Sequence, residues 1–114
     1  MRRSDLYLGD ILGAIGKIEA YTRGDWDEVL SQGIAIDAVL HNLTIIGEAA
    51  AKLPQRLKEQ HPEVAWSEVR GFRNVVVHAY WKIDLEILED VVRLELPKLK
   101  AQVDAILADW YDEP

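Results

Sequence analysis

The sequence predicts an all-α fold, an up-and-down bundle of about four to five helices in one domain over residues 1–114. Apolar residues recur at three- and four-residue steps along most of the chain, which is the period of amphipathic helices. Short loop signals separate these segments, with no internal repeat, low-complexity tract or linker. At 114 residues, 49% hydrophobic and 29% charged, the chain can bury one core but is too short for two.

Two long helices are predicted in the first half of the chain. The first covers residues 4 to about 23, with apolar positions at Leu8, Ile11, Leu12, Ile15 and Ile18. Gly24 ends it, and Asp25 is expected to cap the next helix. That second helix is predicted to continue unbroken to Pro54, with its stripe at Ile36, Val39, Leu40, Leu43, Ile46, Ala50 and Leu53.

Shorter helices are predicted in the second half. Pro54 suits the first turn of a helix that ends near Gln60, and His61-Pro62 favours an extended or turn conformation. Another helix is expected to begin at Trp66 and to contain three consecutive valines, which by propensity alone suit a strand equally well. We predict a helix, because no neighbouring segment could supply partner strands.

The last helix is predicted to begin after an N-cap at Asp84. Pro97 is expected either to kink it or to restart it. Its apolar positions are Leu85, Leu88, Val91, Val92, Leu96, Leu99, Val103, Ile106, Leu107 and Trp110.

Composition excludes several function classes. The chain has no cysteine, so disulfides, a thiolate nucleophile and a cysteine-based zinc site are impossible. A net charge of −7 argues against indiscriminate nucleic-acid binding. No continuous apolar run of about 18 residues is evident, so a cytoplasmic location is expected.

The charge balance reverses between residues 66 and 82. There, three cations are opposed by one acid: Arg70, Arg73, Lys82 and Glu68. Any RNA contact is therefore expected to be local, and this segment is the candidate site.

The stretch from Arg73 to Tyr80 carries the candidate chemistry. On an ideal helix, Asn74 and His78 lie about 40° apart on one face, whereas Arg73 lies about 140° from His78. Arg73 would reach the same site through its long side chain, through a helix distortion, or from a symmetry mate. The third possibility suits a twofold dimer whose interface joins two copies of the motif in one cleft.

These residue types fit metal-independent RNA cleavage. A histidine that titrates near neutrality can take the proton of a ribose 2′-hydroxyl or protonate a leaving 5′-oxygen. The guanidinium of Arg73 can stabilise the charge of the transition state, and Asn74 can orient phosphate or imidazole. Because the 2′-hydroxyl is the nucleophile, the substrate would be RNA.

The motif resembles that of HepT-like proteins of the HEPN superfamily, in which an arginine and a polar residue precede histidine, any residue and tyrosine. Here those positions are Arg73, Asn74, His78 and Tyr80. Further similar segments are His41-Asn42-Leu43, Ile46-Gly47-Glu48-Ala49, Pro62 and Trp66, so the resemblance extends over essentially the whole chain.

The resemblance implies a dimeric helical endoribonuclease toxin of a type VII-like toxin–antitoxin system. Its partner would be a minimal nucleotidyltransferase antitoxin that attaches AMP to Tyr80 and thereby inactivates the toxin. The added negative charge beside the cationic site would oppose RNA entry. Glu48 and Arg70 are expected to support the catalytic Arg73, Asn74 and His78, and no cofactor is expected.

Structural roles for the same residues remain open alternatives. His78 could be bound to a backbone carbonyl, Arg73 could pair with a core acid such as Glu48, and Tyr80 could be an interface or core aromatic. His41 and Glu48 share a helical face, but two ligands make a weak metal site. The four tryptophans are expected to be packing anchors rather than base-stacking platforms.

Two functions of other classes also remain open. The chain could be a non-catalytic helical module that binds a nucleotide or a nucleotidyltransferase through the same cationic motif. It could also be a purely structural dimerisation domain, since a fold alone does not determine function.

Overall fold

The computed structural model describes residues 3–81 and 85–110, and along 77–81 it describes the backbone alone. Every regular element in these ranges is helical, so the predicted all-α class is confirmed. The helices are α1 (Ser4–Tyr21), α2 (Trp26–Leu30), α3 (Gly33–Lys52), α4 (Gln55–Gln60), α5 (Trp66–Arg70), α6 (Phe72–Trp81), α7 (Leu85–Asp90) and α8 (Leu96–Trp110), with a π-helical turn at Val91–Glu95 between the last two.

The core lies between the two long helices α1 and α3, with α8 packed on α1 and α6 packed on α3. Most residues of the predicted stripes pack inward. Fully buried members include Leu8, Ile11, Ile15, Ile18, Val39, Leu43, Ile46, Leu88, Leu96 and Val103. Burial of such side chains contributes roughly 1.5–3 kcal/mol each before the entropy of ordering is subtracted.

The predicted continuous helix from Asp25 to Pro54 is wrong, because the chain breaks at Ser31 and Gln32. The Ser31 hydroxyl donates to the carbonyl of Glu28 at 2.6 Å. Gln32 has an extended backbone with ψ of 99°, so the helix restarts at Gly33. Asp25 occupies the N-cap position of α2 as predicted, but its side chain makes no capping hydrogen bond.

A second break, at Gly71, divides the helix predicted from Trp66. A Cβ atom at Gly71 would lie 3.2 Å from the carbonyl oxygens of Ser67 and Glu68, so a larger residue would crowd this turn. The backbone N–H of Asn74 donates to the Gly71 carbonyl at 2.8 Å, and this hydrogen bond closes the first turn of α6. The valines at 75–77 lie within α6, and the prediction of a helix there is confirmed.

The π-helical turn before Pro97 holds Arg93, which binds the loop between α1 and α2. The guanidinium donates to the carbonyls of Thr22 at 2.8 Å and Gly24 at 2.7 Å and lies 5.7 Å from the centre of the Trp26 ring. Gly24 has a φ of 91°, which favours glycine. Of the two predicted outcomes at Pro97, a kink or a restart, the structure shows a restart, because α8 begins at Leu96 directly after the π-helical turn. The predicted cap Asp84 lies outside the described residues.

Helix α3 is long and apolar enough to cross a membrane, by length and composition only, with a mean hydropathy of 1.3. Half of that window is buried inside the fold. Core helices of water-soluble proteins meet the same two criteria, so this helix is weak evidence for a membrane span.

Candidate active site

Gly47 of α3 sets the position of the α5–α6 junction. A Cβ atom at Gly47 would lie 3.3 Å from the carbonyl oxygen of Arg70 and 3.6 Å from the backbone nitrogen of Arg73. The two helices therefore approach backbone to backbone, and a side chain on this residue would separate them. Arg70, the last residue of α5, and Arg73, the second residue of α6, lie beside the same glycine.

Arg73 and Asn74 lie in the first turn of α6, and both are exposed. Among the residues that the structure describes, neither side chain makes a hydrogen bond or an ion pair with another. A guanidinium without a protein partner is available to bind an anion from solution. The buried Phe72 and Val76 on the same helix anchor this turn in the core.

His78 and Tyr80 lie further along α6, one and three residues after the last valine. Because α6 is α-helical throughout, Asn74 and His78 are one turn apart on one face, as predicted. The predicted offset of about 140° between Arg73 and His78 also stands, since no distortion interrupts α6. The structure therefore does not show the helix distortion that was one of the three predicted ways to bring Arg73 to His78.

Glu48 is not the core acid that the sequence suggested. Its side chain is exposed, and no ion pair joins it to Arg73 among the described residues. The alternative in which Arg73 serves as the partner of a buried Glu48 is therefore wrong. Glu48 instead follows Gly47 directly, beside the junction that carries both arginines.

A cleft between α4 and α5 lies next to this junction. Its volume is about 300 Å³. It is lined by Gln55, Lys58, Glu59, Trp66, Ser67 and Arg70. The buried Trp66 forms its floor, and its ring is fixed because Nε1 donates to the carbonyl of His61 at 2.9 Å.

Lys58 and Arg70 bring two like charges to the cleft. Partial burial, and secondarily the nearby guanidinium of Arg70, lower the pKa of Lys58 below its usual value of 10.5. Both effects disfavour the protonated amine, as expected for a cation that is partly desolvated near another cation. No carboxylate forms an ion pair with either cation in the described parts of the chain.

A second groove beside the junction is lined by apolar and acidic side chains. A groove of about 400 Å³ separates the start of α6 from α7 and the π-helical turn. Its acids are Glu68, Asp90 and Glu95, and its other lining residues are Gly71, Phe72, Val75, Ile87 and Val91. The α5–α6 junction thus contributes residues both to a cleft with two cations and to a groove with three acids.

Among the described residues, no group of three His, Cys, Asp or Glu side chains is arranged to bind a metal ion.

Trp26 and Trp66 are buried packing anchors, as predicted, while Trp110 at the end of α8 is 37% exposed.

Sequence reasoning identified Arg70 but missed Lys58. The two cations are far apart in the sequence and are brought together only by the packing of two short helices. The one available signal was Leu57, an apolar residue in an otherwise polar helix, which indicated that α4 packs on the core beside its cationic neighbour.

The chain matches the family described as "Ribonuclease HepT-like" over residues 11–106. It is 36% identical over 112 residues to the "Probable ribonuclease HepT" of Thermococcus cleftensis, covering 93% of this chain and 98% of that protein. It is 33% identical over 101 residues to a "Putative RNase" of Methanocaldococcus jannaschii, covering 88% of this chain and 93% of that one.

A third relative is longer. The "Gamma-glutamylcyclotransferase and putative RNase" of Methanocaldococcus jannaschii is 32% identical over 105 residues, which are 91% of this chain but 47% of that protein. The chain therefore spans about half of this relative and almost the full length of the other two. No solved structure matches the chain.

These matches define the class: the chain belongs to the ribonuclease HepT-like family of helical proteins. The predicted resemblance to HepT-like proteins of the HEPN superfamily is confirmed.

Proposed function

We propose that this chain is a metal-independent endoribonuclease that acts at the α6 motif. The single observation that carries the proposal is the exposed Arg73, without a partner among the described residues, on the same α-helix as His78 in a chain of this family. Residues 1–114 would form one catalytic domain.

His78 would act as the general acid or base. The 2′-hydroxyl oxygen attacks the adjacent phosphorus as its proton is removed, and the bond from phosphorus to the 5′-oxygen breaks. The 5′-oxygen leaves after taking up a proton, so the products are a 2′,3′-cyclic phosphate and a 5′-hydroxyl. One imidazole can serve only one of these two proton transfers at a time.

Arg73 would bind the scissile phosphate and stabilise the additional negative charge of the transition state. Its exposure and its lack of a partner among the described residues support this role, because a guanidinium held in an ion pair would first have to leave it. Asn74 would position the phosphate or the imidazole, since it lies one turn from His78 on the same face. Glu48 would support the site from α3, where it follows Gly47.

The active form would be a homodimer. The angular offset between Arg73 and His78 on an undistorted helix favours a composite cleft, in which the arginine of one copy and the histidine of its partner act together. Two motifs in one cleft would also supply both a proton acceptor and a proton donor.

Control of the enzyme would act through Tyr80. A minimal nucleotidyltransferase antitoxin would transfer AMP to the phenol oxygen from a nucleoside triphosphate, with pyrophosphate leaving. A phosphodiester two residues from His78 would place negative charge beside the cationic site and block RNA entry. The pair would form a type VII-like toxin–antitoxin system in the cytoplasm.

The test is cleavage of total cellular RNA by the purified wild-type chain and its His78→Ala variant, in EDTA, with analysis of the product ends. The proposal expects 2′,3′-cyclic phosphate ends from the wild type only. Cleavage that requires a divalent cation, or that persists in His78→Ala, contradicts it. Mass spectrometry of the same preparations would detect AMP on Tyr80, which must be absent for an inactive wild type to count against the proposal.

A further inference from the structure

The cleft between α4 and α5 combines two cations with groups that donate hydrogen bonds. Lys58 is half-buried and Arg70 is exposed, and both line the same volume of about 300 Å³. The hydroxyl of Ser67 and the amide of Gln55 line it as well. Ammonium, guanidinium, hydroxyl and amide groups together suit the oxygens of a phosphate.

No carboxylate of the described residues forms an ion pair with the cations of this cleft. Glu59 also lines the cleft, yet no ion pair joins it to Lys58 or Arg70 in the described ranges. Two like charges close together repel each other, and partial burial adds to the cost. An anion bound between them would relieve both effects.

The position of the cleft beside the Arg73–Tyr80 motif indicates which kind of anion it would bind. Arg70 and Arg73 are separated by Gly71 and Phe72, and the backbones of both lie against Gly47. An RNA strand that is bound by Arg73 and runs past this junction towards α4 would bring a neighbouring phosphate to Arg70 at the cleft. The fixed ring of Trp66 gives this second position a rigid floor.

We propose that this cleft binds a phosphate of single-stranded RNA that flanks the cleaved phosphodiester, with Lys58 and Arg70 as its ligands. The inference rests on the proposed ribonuclease function and extends it with a subsite outside the motif. In this proposal Arg70 binds a flanking phosphate, whereas Arg73 binds the phosphate that is cleaved.

The test is RNA binding by the full chain, measured by fluorescence anisotropy over a range of salt concentrations. The probe is a labelled single-stranded RNA with 2′-O-methyl riboses, which lacks the nucleophile and so stays intact. The test variant is Lys58→Gln with Arg70→Gln. The matched control is Lys17→Gln with Arg56→Gln, which removes the same charge from exposed positions outside the cleft.

The test variant is expected to bind about tenfold more weakly than the wild type, a typical loss for charge-assisted contacts. The slope of log Kd against log salt should fall by about 0.7, the contribution of one phosphate on a single strand. With a ribose substrate the loss should appear in KM more than in kcat. Exchanging the cations as Lys58→Arg with Arg70→Lys should restore most of the affinity.

The outcomes separate the two proposals. If the wild type cleaves RNA but the test variant and the control variant bind alike, the subsite is wrong and the ribonuclease proposal stands. If the wild type binds the probe through the cleft but never cleaves ribose RNA, the ribonuclease proposal is wrong. If polyglutamate competes for the cleft and RNA does not, the cleft is a protein-binding site and the inference is overturned.

Discussion

Arg93 and Arg73 carry the same guanidinium group in opposite surroundings, one bound within the fold and one exposed to solvent. Arg93 donates to two backbone carbonyls and lies over Trp26, so it fastens the loop between α1 and α2 to the π-helical turn. Arg73 sits in the first turn of α6 with no partner among the described residues, and Arg70 lines the cleft beside Lys58.

This difference separates a cation on which the stability of the fold depends from a cation on which the proposed function depends. Where a guanidinium satisfies carbonyls at a helix end, its loss leaves acceptors without a donor and costs stability. Where the guanidinium has no protein partner, its loss costs the fold little and the binding of a phosphate much. Variants in the two regions should therefore separate stability from activity.

The largest effect is expected for Arg73→Ala. RNA cleavage should fall by about 10²- to 10³-fold, the range seen when one donor to a transition-state oxyanion is removed. The melting temperature should change by less than about 2 °C, because an exposed side chain without a partner contributes little to stability. Single-turnover cleavage and circular dichroism melting measure the two quantities. A large loss of stability with normal cleavage would show that Arg73 serves the fold and not the reaction.

Arg93→Ala should show the opposite pattern. Loss of two charge-assisted hydrogen bonds, one of them exposed, is expected to lower the free energy of unfolding by about 2 kcal/mol. Cleavage measured well below the melting temperature should stay near the wild-type value. Urea denaturation tests this, with Arg56→Ala as the control, because that exposed arginine should cost less than about 0.5 kcal/mol.

Gly47 and Gly13 form a matched pair of helical glycines. Gly47→Ala would place its methyl group 3.3 Å from the Arg70 carbonyl, so the α5–α6 junction must shift. We expect a loss of about 1–2 kcal/mol and roughly tenfold weaker cleavage.

Gly13→Ala meets no atom within 4 Å and should stabilise α1 by about 0.5–1 kcal/mol without affecting cleavage. Equal stability of the two variants would show that the close approach at Gly47 is not maintained in solution.

The smallest effect concerns the titration of Lys58. Its pKa is lowered in the folded chain, so between that value and 10.5 the unfolded chain binds more protons. The free energy of unfolding therefore rises as pH increases through this interval. Arg70→Gln should move the pKa upward towards 10.5, and an NMR titration of the Lys58 side chain would detect it. A lower or unchanged pKa in that variant would contradict the assigned proximity of the two cations.

The long helices could be predicted from sequence because burial imposes a period on their apolar residues. Leu8, Ile11 and Ile15 are fully buried where the stripe of α1 requires it. The breaks at Ser31 and Gly71 could not be predicted in the same way. Apolar residues continue at helical spacing across both positions, and the interruptions coincide with a side-chain hydrogen bond of Ser31 and with the close approach of Gly47 to the Arg70 carbonyl.

The candidate site was partly predictable for a related reason. Asn74 and His78 are four residues apart, so a helix suffices to place them on one face, whereas Arg73 is five residues from His78 and the helix alone does not bring these two together. Lys58 joins Arg70 only through the packing of α4 on α5, which leaves no periodic signal. Likewise, the exposure of Glu48 depends on how α3 is turned against α6, and its apolar neighbours in sequence suggested burial instead.

The two cavities beside the α5–α6 junction would give the proposed RNA strand a direction. The cleft between α4 and α5 carries Lys58 and Arg70, and the groove towards α7 is lined by Glu68, Asp90 and Glu95. A strand that crosses the start of α6 is attracted towards α4 and repelled from α7. The two cleavage products should therefore leave at different rates, and the fragment lying towards α4 should dissociate more slowly and limit turnover at low salt.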